Sequence, residues 1–144
     1  MWQRRDEVGF TRRPEIRAIL DRCEEWVDPG DEGTEVEFAE WSGLTLDDAI
    51  RVMELLPEWE MEMRQNQSPS IREMIRLGRT YPGITFHGYR IGPAREDERI
   101  SFEGFTLPKD SVSHREAERL AEELRPDLDP DDLDQGDRWY FWWD

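Results

Sequence analysis

Between Ile84 and Leu107 the chain writes one eight-residue pattern twice. The first copy is Ile84-Thr85-Phe86-His87-Gly88-Tyr89-Arg90-Ile91, the second Ile100-Ser101-Phe102-Glu103-Gly104-Phe105-Thr106-Leu107. Both read isoleucine, small hydroxyl, Phe, polar residue, Gly, aromatic, any residue, branched aliphatic. Aromatic and β-branched side chains at a period near two favour strands, and the intervening Gly92–Arg99 segment is rich in turn formers. The pattern predicts an antiparallel hairpin.

The repeat also predicts a register. With Ile91 opposite Arg99, Phe86 faces Gly104 and Phe102 faces Gly88, so each ring covers the bare backbone of the other strand's glycine. The same register sets His87 against Glu103 on the other sheet face, beside Tyr89 and Phe105. A slip of one residue reverses every side chain. The competing expectation is that both glycines mark bulges that re-aim Tyr89 and Phe105 toward the core.

Charge decides which partners are open to such a chain. Asp and Glu number 35 against 19 Lys and Arg, a net charge of -16, and Lys109 is the only lysine. This resembles proteins of organisms that keep molar salt in the cytoplasm, where a carboxylate surface holds hydration and self-repulsion is screened. A GC-rich genome, whose codons favour Arg, is the alternative. Cys23 stands alone, so one chain can build no disulfide or thiolate metal site. No run approaches the ~20 apolar residues of a membrane span, and Met1–Arg5 leads into no apolar stretch. An intracellular, cytoplasmic protein without membrane contact is expected.

Residues 1–13 read as a flexible basic arm. The spacing of Ile16, Ile19, Leu20, Cys23 and Val27 predicts a helix over Pro14–Val27, opened by Pro14 and stopped by Asp28-Pro29-Gly30. Within residues 34–56, Phe38, Ala39, a turn at Gly43, Leu44, Ala49 and Val52 sit at helix-turn-helix spacings, with Thr45 and Asp48 approximating a capping box. Glu35–Trp41 also reads as a short strand, since Val36 and Phe38 alternate. The strict alternation of Glu58-Trp59-Glu60-Met61-Glu62-Met63 predicts a strand with one wet face. Ser70 with Glu73 opens a helix to Thr80, and Ser113 with Glu116 opens another to Pro126. Arg138–Trp143, aromatic on both faces, reads as a closing strand.

The expected fold class is therefore α+β. A helical segment over residues 14–57 precedes a ferredoxin-like βαββαβ domain over residues 58–144, with an antiparallel sheet and helices on one face. A helix-turn-helix followed by such a domain resembles, in order and length, the leucine-responsive regulator family. That resemblance implies DNA binding by the first unit, and dimerisation and small-molecule sensing by the second.

Few constellations carry chemistry. His87 beside Glu103 is a possible general-base pair, which gives a small hydrolase as the third reading. Asp127, Asp129 and Asp131 alternate as in an EF-hand, but Asp132 stands where Gly is required and Arg138 where the bidentate Glu is required. No phosphate loop, dinucleotide fingerprint or serine elbow is present, so no cofactor or metal is expected. The first expectation is a non-enzymatic interaction module that binds a protein partner or a second copy through His87, Tyr89, Glu103, Phe105 and Trp142. The alternative is a DNA-binding regulator using Arg4, Arg5, Arg12, Arg13 and Arg51. Asp47, Asp48 and Glu54 on its recognition helix oppose phosphate contact.

Overall fold

The two copies do pair, as the centre of the sheet. In the computed structural model, which describes residues 8–28, 38–64, 67–126 and 130–143, β3 (Thr85–Ile91) and β4 (Arg99–Pro108) form an antiparallel hairpin. From the loop end the expected register holds: Ile91 lies opposite Arg99, Arg90 opposite Ile100, Tyr89 opposite Ser101 and Gly88 opposite Phe102. It then shifts by one. His87 lies opposite Gly104, Phe86 opposite Phe105 and Thr85 opposite Thr106, so Glu103 is the extra residue of a bulge. An inserted residue resets the alternation beyond it. Phe105 and Leu107 thereby stay on the same face as Phe102 and Ile100, where all four are buried.

The remaining elements surround this hairpin. In chain order they are α1 (Pro14–Leu20), β1 (Glu24–Asp28), β2 (Phe38–Thr45), α2 (Leu46–Leu55), α3 (Ile71–Thr80), α4 (His114–Leu124), the two-residue β5 (Asp134–Gln135) and β6 (Arg138–Trp142). Short 3-10 turns occupy Phe10–Arg12, Glu58–Glu62 and Pro130–Leu133. Every neighbouring strand pair is antiparallel, in the order β1-β2-β3-β4-β6-β5.

The fold is α+β, as expected, but its strand order is not the ferredoxin-like one. Residues 58–62 form a 3-10 turn closed by Glu60 N–H on the Pro57 carbonyl, and β2 takes the place beside β3. Glu and Met are better helix than strand formers, and that preference outweighs the period-two pattern. Glu60, on the side read as wet, is the residue turned fully inward.

The helix-turn-helix expectation is also corrected. Phe38–Thr45 is a strand, with Ala39, Trp41 and Leu44 buried. Gly43, read as the turn between helices, sits at φ 70° inside a register shift between Trp41 and Leu44. The extra residue there keeps Leu44 on the buried face. Thr45 then caps α2 directly, accepting from Asp48 N–H at 3.3 Å. Likewise α1 stops at Leu20, not Val27, and Glu24–Asp28 pairs with β2 as an edge strand.

The capping boxes of α3 (Ser70, Glu73) and α4 (Ser113, Glu116) form as read. Residues 9–12, expected in the arm, are tied down: the Glu98 carboxylate accepts from Gly9 N–H (2.8 Å), Thr11 N–H (3.2 Å) and Thr11 Oγ1 (2.6 Å). Positions 1–7, with Arg4 and Arg5, lie outside the described residues.

One hydrophobic cluster joins Ile16, Ile19 and Leu20 of α1, Ala49 and Val52 of α2, Met74 and Ile75 of α3, and Leu120 of α4 to a single sheet face. That face carries Trp41, Leu44, Phe86, Ile100, Phe102, Phe105, Leu107, Trp139 and Phe141. Arg90 lies fully buried on it, its Nε 2.9 Å from Glu24 Oε1, and Arg17 reaches the same oxygen at 3.2 Å.

Candidate functional site

Because the four described helices press on one face, the side chains of opposite parity form a second surface. Phe38 and Glu40 come from β2, Thr85, His87 and Tyr89 from β3, Arg99, Ser101 and Thr106 from β4, and Arg138, Tyr140 and Trp142 from β6. None of them belongs to the main core cluster.

The rings are arranged in stacks. Phe38 and Tyr89 lie 5.4 Å apart with planes 24° from parallel, and His87 and Tyr140 lie 4.5 Å apart at 6°. Trp142 leans against the second stack, 5.3 Å from Tyr140 with planes 44° apart. His87 Nε2 is 3.1 Å from the Phe141 carbonyl oxygen, so that nitrogen carries the proton and donates. Nδ1 is left as the acceptor facing the Tyr140 hydroxyl at 3.5 Å, a contact too long for a strong bond.

Polar groups frame the rings. Arg99 donates to the Tyr89 hydroxyl (2.5 Å) and to the Asp97 carboxylate (2.8 Å). Burial works against the Arg99 charge, but the Tyr89 and Asp97 bonds outweigh it and raise its pKa. Burial likewise opposes ionisation of Asp97, and the guanidinium groups of Arg99 and Arg95 overcome it and hold its carboxyl below the ordinary value. At the other end Thr85 and Thr106 share a 2.6 Å hydroxyl contact, and Arg138 Nε donates to Thr106 Oγ1 at 2.6 Å. Arg125 Nη1 donates to the Trp142 carbonyl and its guanidinium carbon sits 6.0 Å from that indole.

Of the residues singled out from the sequence, His87, Tyr89 and Trp142 fall on this surface. His87 and Tyr89 are 8% and 7% exposed, while Trp142 is half-buried. Glu103 is half-buried as the extra residue of the bulge, and Gly104 takes the place directly opposite His87 that the expected register gave to Glu103. Phe105 is fully buried on the helix-covered face, stacked on Phe141 at 4.7 Å; the bulge turned it there. Phe38, Tyr140, Arg99 and Arg138 were missed. Alternation back from Trp142 points to Tyr140, whereas Phe38 was hidden by its helical reading.

The cations of the DNA reading are dispersed. Arg13 binds Glu15 (2.9 Å) and the Leu55 carbonyl (3.1 Å); Arg12 and Arg51 are exposed, and Arg51 lies near the same Glu15. Among the described residues no cluster of three His, Cys, Asp or Glu side chains has metal-binding geometry, and no helix is long and apolar enough to cross a membrane. The chain matches no protein-family model, no curated protein and no solved structure.

Proposed function

We propose that this chain is a non-enzymatic binding module that engages a protein surface, a second copy of itself first, through the sheet face opposite the helices. One observation carries the reading: Phe38, Tyr140 and Trp142 keep partial exposure on that face while stacking already holds their rings in place. Rings held by neighbours lose little freedom on binding, and aromatic residues with Arg are the groups that dominate protein contacts. The face also carries both signs of charge, Arg99 and Arg138 with Glu40. A two-fold contact needs such self-complementarity. The net charge of -16 opposes pairing at low salt and is screened at high salt.

Sedimentation velocity over a wide concentration range, at low salt and at molar salt, tests this. A salt-favoured dimer that Tyr140→Ala with Trp142→Ala abolishes supports the reading. A monomer under every condition, or a dimer indifferent to that double substitution, overturns self-pairing through this face. DNA recognition has no comparable support, since it leaned on a helix-turn-helix over residues 34–56, and Phe38–Thr45 within it is a strand. A gel shift that retards DNA with an affinity falling steeply in salt would restore it.

A further inference from the structure

The sheet changes character along β4. Its second half pairs with β6 from Pro108 to Gly104, and Trp143 N–H then reaches the Glu103 carbonyl at 2.8 Å. The first half, Arg99 to Phe102, has a described strand on one side only. Ile100 N–H points to the open side, and Phe102, two residues on, points its backbone groups the same way. Bare edges of this kind invite pairing with other chains, and proteins cover them.

Here the cover is the 3-10 turn Glu58–Glu62. Glu60, with no exposed surface, accepts from Ile100 N–H at 3.0 Å through Oε1, while its buried Oε2 has no partner among the described residues. Beside it lies a cavity of about 40 Å³ walled by Met63, Arg64, Ile71, Arg99 and Phe102, with room for about one water. Such a place favours the carboxylic acid: burial outweighs the Ile100 N–H bond, which by itself favours the carboxylate. The neighbouring charges do not rescue it. Arg99 favours the charged form but is bound to Asp97 and Tyr89, and Glu98 opposes it. Arg64 is bound to Glu73 and the Ser68 carbonyl. On the turn itself Glu58 and Glu62 are exposed, and Glu62 pairs with Arg72.

We infer that Glu60 is a proton-operated latch: as the neutral acid it holds residues 58–64 over the edge of β4, and on ionisation it releases that cover and bares Ile100–Phe102. Burial, which pushes the Glu60 carboxyl up to about 8, sets the working range at mildly alkaline pH. The cover is one short turn, so its release is a local opening that leaves the core in place.

Native-state amide exchange by NMR from about pH 6 to about pH 9, corrected for intrinsic rates, tests this on the intact chain. Protection at Ile100 is expected to fall about tenfold or more across that range while staying well below that of the β3 amides, which exchange only through global unfolding, and no such fall is expected in Glu60→Gln, whose amide still accepts from Ile100. A flat wild-type profile at Ile100, an equal fall in Glu60→Gln, or protection at Ile100 equal to that of the β3 amides at every pH overturns the latch. The wild-type profile decides the matter by itself should the variant not fold.

Discussion

The imidazole of His87 lies flat against the phenol of Tyr140, with centroids 4.5 Å apart and planes 6° from parallel. Its Nε2 is meanwhile committed to the backbone carbonyl of Phe141, on the same strand as Tyr140. One side chain of β3 thus reaches across β4, over the bare backbone of Gly104, and ties itself to β6. Rings do cover both repeat glycines, but not the expected ones: His87 stands over Gly104 in place of Phe86, and Trp41 of β2 stands over Gly88.

His87→Phe keeps the stack and removes the donor. A loss of about 1 kcal/mol is expected, since the Phe141 carbonyl is left unmatched. Urea denaturation measures it; no change would mean that water satisfies that carbonyl equally well.

The bulge leaves no room for side chains at the two repeat glycines. A Cβ on Gly104 would stand 2.0 Å from the Phe141 carbonyl oxygen and 2.7 Å from His87 Cε1, and one on Gly88 would stand 1.8 Å from the Ser101 carbonyl oxygen. These are backbone clashes that no rotamer change relieves. Gly88→Ala and Gly104→Ala should each cost about 3 kcal/mol or prevent folding. Gly136→Ala meets no atom within 4 Å, and strain at its φ of 67° is its only expected penalty. Thermal melts of the three variants rank them, and an unaffected Gly104→Ala would refute the bulged register.

Glu60 makes stability depend on pH in a stated direction. Its folded-state value is raised from 4.5 to about 8, so between those limits the folded chain keeps a proton that the unfolded chain has lost. Its contribution is therefore complete below about pH 4.5 and fades as pH rises to about 8, by an amount on the order of several kcal/mol at most. Glu60→Gln should flatten this slope and be the more stable form at alkaline pH. Denaturant titrations at several pH values check it, and parallel slopes for the two proteins would exclude Glu60 as the cause.

The Arg90–Glu24 pair predicts strong non-additivity. Removing the guanidinium alone leaves Glu24, only 6% exposed, with Arg17 as its remaining partner, and should cost about 3 kcal/mol. Arg90→Met combined with Glu24→Leu should recover most of that loss. A double-mutant cycle by chemical denaturation reads the coupling directly; additive effects would mean that Arg17 neutralises Glu24 unaided.

A net charge of -16 predicts that salt stabilises the fold. Moving from ~0.1 M to ~1 M salt shortens the screening length from about 10 Å to about 3 Å, relieving repulsion among surface carboxylates. A rise in the melting midpoint of roughly 5 °C is expected. A falling midpoint would show that surface ion pairs such as Arg72–Glu62 outweigh the repulsion.

What the amino-acid order determined alone was local. The repeated octapeptide carries its own hairpin, and its register is right from Ile91 to Gly88 because the loop sets it. Ser70 with Glu73, Ser113 with Glu116, and Thr45 start their helices as read, since a cap needs only atoms within one turn. Tertiary structure decided the rest. Residues 38–45 carry both a helical and an extended pattern, and the open edge of β3 settled them as a strand. Residues 58–63 alternate like a strand, yet only burial against β4 could show that Glu60 turns inward. The bulge at Glu103, which sends Phe105 into the core and leaves His87 over Gly104, follows from packing on both faces of the sheet at once. A one-dimensional pattern cannot say where an extra residue is absorbed, because that choice is made by the neighbours it must fit.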